Sequence, residues 1–191
     1  MRASRQQVAE NRRTILDAAG RLFRERGFES VTVAEIMQAA GLTHGGFYGY
    51  YESKQALIAA ALAEALDKVI GPSGDLASYA ALYLSPGHRD DLAEGCPTAA
   101  LAAETVRQTA AARRAMTAGL TQQIDRLSRV APGSDPVRRR RAAIGSWAAM
   151  VGAMILARVS DDPALSAELL DQTRDWLAER AQAPERGDQG R

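Results

Sequence analysis

The stretch TVAEIMQAAGLTHGGFYGYYESKQAL, from Thr32 to Leu57, carries three helix signals in one short run. Thr32 and Glu35 have the Thr-x-x-Glu form of a capping box, and Val33, Ile36, Met37 and Ala40 follow as one apolar stripe. Gly41 interrupts that stripe. A second short segment follows over Leu42 to Tyr51, in which Phe47 and Tyr51 can turn toward the preceding helices, and Ser53 is a good N-cap for a third. Short helix, glycine turn, short helix is the spacing of a helix-turn-helix, whose second helix enters the major groove of DNA.

Composition strengthens that reading. Gly45, Gly46 and Gly49 sit in one short helix, where each costs about 0.8 to 1 kcal/mol relative to alanine. Stability would not select them, but glycine lets a backbone approach a bulky partner closely. No acidic side chain lies between Leu42 and Tyr51 to repel phosphate. Lys54, a cation in the first turn of the next helix, opposes the helix dipole unless an anion neutralises both. A DNA phosphate would do so.

Working toward the N-terminus, Ile15, Ala18, Ala19, Leu22 and Phe23 form one helical stripe. It predicts a helix from Asn11 to Arg26, closed by Gly27. Arg12 and Arg13 read equally as phosphate-facing groups or as a solvated helix start. Toward the C-terminus, helices are expected over 53–70, 75–84, 97–109, 111–130 and 135–160, with a last one opening at Asp162-Pro163. A polar loop is expected from Ser85 to Gly95, and a polar tail from Ala183 to Arg191. The sum is an all-α chain of nine helices, in keeping with its 38 alanines.

The helix over 135–160 is apolar around its whole axis after Arg141, so it must be covered on every side. Gly145, Ala149, Gly152 and Ala153 permit close helix approach. The last helix places Leu165, Leu169, Leu170, Trp176 and Leu177 on one face. Gly145, Ala149, Gly152 and Ala153, with Leu169 and Trp176 on the last helix, are candidates for a dimer interface; the alternative is a helix buried within one chain. A single helix-turn-helix reads few bases, and dimers place two such units roughly 34 to 36 Å apart on DNA.

Twenty-four Lys and Arg oppose 23 Asp and Glu, a net charge of +1, so nucleic-acid binding must come from local charge. The Arg138–Arg141 cluster spreads around its helix axis and reads as a solvated or interface face. Only two histidines, His44 and His88, and one cysteine, Cys96, are present, with no phosphate loop or metal-ligand spacing. No enzyme activity, cofactor or metal is expected. Cys96 precedes Pro97 at a helix start and reads either as inert or as a thiol sensor. The start MRASRQQVAENRRTIL lacks the apolar stretch of a secretory signal. The apolar run Ala142 to Ala157 is shorter than the roughly 20 residues that cross a bilayer. A cytoplasmic protein with no membrane partner is expected.

From about Asn11 to Leu62, a third of the chain, the sequence resembles the N-terminal signature of the tetracycline-repressor (TetR) family. Gly95-Cys-Pro-Thr-Ala-Ala-Leu-Ala-Ala-Glu104 and Ser160-Asp-Asp-Pro-Ala-Leu-Ser166 are similar to one branch of it. The resemblance implies a helix-turn-helix DNA-binding domain over 1–53 and a ligand-binding and dimerisation domain over 54–191. It implies a repressor rather than an activator, bound to a palindromic operator as a homodimer and released by a small-molecule effector. Thr43, His44 and Gly45 match the family's base-facing start of the recognition helix, and Tyr48 matches its DNA-contacting tyrosine. Thr32, Tyr50 and Lys54 match phosphate contacts, while Phe47 and Tyr51 match core aromatics. Gly45 and Gly49 depart from the larger side chains of other members, and Ala34 lacks a donor. Readout then rests on His44 and Tyr48, with backbone approach and DNA shape supplying more. Tyr79, Tyr83, Met116, Leu120, Trp147, Met150 and Met154 are the candidates to line the effector cavity, for an uncharged or amphipathic organic ligand. The alternative is a constitutive or Cys96-sensing DNA-binding dimer without an effector.

Overall fold

The computed structural model describes residues 4–69, 71 and 74–182, and every regular element among them is helical. The order is α1 (Arg5–Arg26), α2 (Val33–Ala39), a 3-10 helix (His44–Gly49), α3 (Lys54–Asp67), α4 (Leu76–Tyr83), α5 (Pro86–Asp90), α6 (Pro97–Thr105), α7 (Ala110–Ser128), α8 (Pro136–Val159) and α9 (Pro163–Gln182). They form two compact units. One holds the described residues up to Val69 together with Asp91–Leu120; the other holds those of 70–90 and from Thr121 onward. Helix α7 contributes its first half to one unit and its second half to the other.

In the first unit α1 packs on α2, α3 and α6. Its core gathers Ile15, Phe23, Phe28, Ile36, Phe47, Leu57, Leu62 and Leu101, all buried. Phe23 and Phe28 meet edge to face at 5.2 Å, and Phe47 stacks on Tyr51 at 6.1 Å. The two aromatics matched to a core role are therefore core residues. Burying each large side chain contributes about 1.5 to 3 kcal/mol, which holds two short helices that could not persist alone.

Helix α1 starts six residues before the expected Asn11. Ser4 caps it by accepting from the Gln7 N–H at 3.1 Å. Gln6 and Gln7 add side-chain bonds to Glu10 and Asn11 one turn on. That first turn is solvent-exposed, so it carries no apolar stripe to read. In the expected loop Ser85–Gly95, α5 adds a tenth helix. Ser85 Oγ accepts from the His88 N–H at 3.2 Å, and Pro86 supplies a first helical residue. Helix α3 ends at Asp67 and α6 at Thr105, short of the expected ends. Ile70, Pro72 and the tail 183–191 lie outside the described residues.

In the second unit α8 packs chiefly on α9, and α9 on α4. Helix α8 is capped by Asp135, whose Oδ1 accepts from the N–H groups of Val137 and Arg138 at 2.9 Å. Its all-round apolar surface is covered on one side only. Ala143, Trp147, Met150, Met154 and Ala157 are buried, whereas Ile144, Ile155, Leu156 and Val159 are exposed. The last helix also divides, with Leu170 and Leu177 inward and Leu165 and Trp176 exposed, rather than presenting one face. At 24 residues, α8 is long and apolar enough to cross a membrane by length and composition. Its inward side chains form the core of the second unit.

Candidate nucleic-acid interface

The capping box forms as a closed ring. Thr32 Oγ1 accepts from the Glu35 N–H at 3.2 Å, while Glu35 Oε2 accepts from both the Thr32 N–H and its hydroxyl at 2.7 Å. Arg26 adds an ion pair at 2.8 Å. The Thr32 N–H, then its hydroxyl and Arg26, pull the Glu35 carboxyl down to about 2. Both donors of Thr32 are therefore taken by Glu35, and a phosphate at this position would have to displace that carboxylate.

Gly41 supplies the turn at φ 69°, a value side chains with a Cβ rarely adopt. The Leu42 N–H closes back on the Met37 carbonyl at 2.9 Å. The chain then enters the 3-10 helix, held to the core by buried Phe47. Thr43, His44, Gly45, Tyr48 and Gly49 are exposed. Tyr48 is 74% exposed, its ring set edge-on against Phe47 at 5.3 Å. Neither Gly45 nor Gly49 has a positive φ, and a Cβ at either would meet nothing within 4 Å. Neither backbone shape nor packing within the chain requires glycine there.

The far end of this segment is tied to α1. The Tyr50 hydroxyl accepts from Asn11 Nδ2 at 2.7 Å, and the Tyr50 carbonyl accepts from the Arg12 guanidinium at 2.8 Å. That guanidinium lies 4.6 Å over the Tyr51 ring. Arg12, open to two readings from sequence, is thus held beside the end of the 3-10 helix. Asn11 was missed as a positioning group, since nothing local marks a contact 39 residues away. Ser53 caps α3 by accepting from the Ala56 N–H at 3.1 Å. Lys54 follows as its first residue, half-buried and without an ion pair among the described residues.

The remaining candidates separate by unit. Tyr79, Tyr83, Trp147, Met150 and Met154 belong to the second, with Tyr83 and Trp147 edge to face at 5.3 Å. Met116 and Leu120 belong to the first, Met116 buried in its core and Leu120 packed against it. Of the interface candidates, Gly145 and Trp176 are exposed, Ala149, Gly152 and Leu169 half-buried, and Ala153 buried. Cys96 is 6% exposed and forms no side-chain cap at the start of α6. Arg138 pairs with Asp135 and Arg140 with Asp125. Among the described residues no cluster of three or more His, Cys, Asp or Glu could hold a metal.

Residues 15–61 match the family model described as bacterial regulatory proteins, tetR family. The match takes in α1 from Ile15 onward, α2, the 3-10 helix and α3 as far as Ala61, and it is this segment that is similar to that family's domain. Over 56 residues it is 41% identical to the HTH-type transcriptional regulator AcrR of Shigella flexneri, covering 29% of this chain and 26% of that protein. The matched stretch thus spans about a quarter of that relative. The TetR-family regulator of known structure from Agrobacterium tumefaciens superposes with a TM-score of 0.72 at 21% identity, over 92% of this chain and all of the other. TylP, a TetR regulator from Streptomyces fradiae, superposes with a TM-score of 0.61 at 26% identity over 95% and 90% of the two chains. The fold of these two structures therefore extends over nearly the whole chain.

Proposed function

We propose that this protein is a cytoplasmic, DNA-binding transcriptional repressor of the TetR family. It binds a palindromic operator as a homodimer through residues 1–53 and releases it when a small organic effector occupies the region 54–191. The observation that carries the reading is the exposed 3-10 helix, free of acidic groups, with glycines at 45 and 49 that the fold itself does not need. A duplex supplies the missing reason for both: phosphate repels acids, and a bare backbone approaches closely. In this reading His44 and Tyr48 reach base edges, and Lys54 and Tyr50 meet phosphate.

Dimerisation is supported by Ile144, Ile155, Leu156, Leu165 and Trp176, apolar side chains exposed on α8 and α9. The open space before Gly145 and Gly152 lets a partner helix approach. Burial of Cys96 disfavours thiol sensing, since a buried thiol is shielded from oxidants. Selection of bound fragments from random duplex DNA by the purified protein tests the reading. Enrichment of an inverted repeat is expected, and no preference over competitor DNA at moderate salt would refute it.

A further inference from the structure

Trp147 and Gln123 are both interior residues, 5% and 4% exposed. Each nevertheless leaves one polar atom without a hydrogen-bond partner: the indole Nε1 of Trp147 and the Oε1 of Gln123. Folded proteins satisfy most such groups, because a buried donor or acceptor without a partner has lost its water and gained nothing. The two sites are linked through aromatic rings. Gln123 Nε2 donates to the Tyr79 hydroxyl at 2.8 Å. Tyr79 and Tyr83 lie 6.2 Å apart by ring centre, and Tyr83 and Trp147 lie 5.3 Å apart. The wall thus runs across α7, α4 and α8 within the second unit. Met150 and Met154, one and two turns beyond Trp147, are fully buried and add an apolar, adaptable surface.

The wall is neutral. Its residues are Gln, Tyr, Trp and Met, and His88 is a titratable group against it, ring to ring with Tyr83 at 4.5 Å. The His88 Nδ1 lies 2.6 Å from the Tyr83 carbonyl. A carbonyl only accepts, so the proton sits on Nδ1. The Arg158 guanidinium near that histidine donates to the backbone carbonyls of His88 and Arg89. The 270 Å³ cavity along α1 and α3 is different in kind. It is ringed by ion pairs, Lys68 with Asp17 and Glu64, and Arg21 with Glu94, whose charges answer one another.

We infer that Gln123 and Trp147 take an uncharged, planar ligand carrying both a hydrogen-bond acceptor, for the Trp147 indole, and a donor, for the Gln123 carbonyl, as in an aryl amide. This rests on the effector reading above and narrows it to a chemical class. The apolar wall would hold the ring, and the polar pair would reject an apolar isostere that leaves both atoms without partners.

The test follows the two indole N–H signals of the full-length protein by nitrogen-15 NMR, assigned by the loss of one in Trp176→Phe. Benzamide, benzoate and ethylbenzene serve as neutral polar, charged and apolar probes of one size. Benzamide is expected to shift the Trp147 signal saturably while Trp176 stays in place, and Gln123→Leu to weaken that binding about ten-fold. A Trp147 signal unmoved by benzamide, or moved equally by ethylbenzene or benzoate, overturns the inference. Operator release is measured on the same samples by fluorescence anisotropy. Saturable benzamide binding without release upholds the site and refutes the effector reading. Release by ethylbenzene alone upholds the effector reading and overturns the polar pair.

Discussion

Glu104 accepts a hydrogen bond from the backbone N–H of Phe28 at 2.8 Å, which ties α6 to the end of α1. The carboxylate fills the space beside Gly27, whose φ of 79° closes α1. A Cβ at residue 27 would collide with Glu104 Oε1 and strain the backbone at once. Gly27→Ala should therefore destabilise the protein by about 1 to 3 kcal/mol in urea unfolding. Glu104→Ala, which leaves a half-buried N–H without its partner, should cost about 1 to 3 kcal/mol. Wild-type midpoints for both would show that this junction is not under the stated constraint.

Glycines 45 and 49 lead to an opposite pair of effects. Because each has an ordinary φ and open space before it, Gly49→Ala should raise the stability of the free protein by about 0.5 to 1 kcal/mol. The same methyl would stand between backbone and duplex, so operator affinity should fall. Calorimetry and a gel shift on one sample decide it, and undiminished affinity would show that close approach is not why glycine is there.

Tyr48 and Lys54 are predicted to matter for DNA and not for folding. Tyr48→Ala removes a largely exposed ring, so helicity and melting temperature should hold while operator binding weakens. Lys54→Ala should lower the slope of log affinity against log salt by about one unit, the signature of one lost phosphate contact. An unchanged slope would remove Lys54 from the interface.

The capping box should respond to acid. The Glu35 carboxyl, ordinarily near 4.5, is held down to about 2 by the Thr32 donors and Arg26. A depressed folded value means that its stabilisation is full above about pH 4.5 and is lost progressively as pH falls toward 2. Glu35→Gln should flatten that part of the stability profile. An equally steep acid loss in the variant would place the titration elsewhere.

For the dimer, Gly152→Arg puts bulk and charge where a Cβ meets nothing within 4 Å in one chain. The variant should keep its helicity and sediment as a monomer at micromolar concentration. A dimer of wild-type mass would place the interface away from this face of α8.

Legibility in the sequence followed the range of the interaction. The capping box, the Gly41 turn, Ser53, Asp135 and the stripe through Ile15 and Phe23 all act within about one or two turns of chain, and each stands where spacing put it. The first turn of α1 and the short α5 were not legible, because exposed polar turns held by Ser4 and Ser85 carry no apolar period. Burial of one side of α8 and the division of α9 into two faces were equally hidden, since an apolar residue does not say which neighbour will cover it.

Local chemistry alone, then, settled that the chain is helical, where most of its helices begin and stop, and that one short segment is stripped of bulk and acid. Packing in three dimensions settled the rest: Glu104 against Phe28 from 76 residues away, Asn11 and Arg12 against Tyr50, and Gln123 turned inward beside Tyr79. Such pairings depend on which helices meet and at what rotation, and side-chain spacing along one helix carries no record of either.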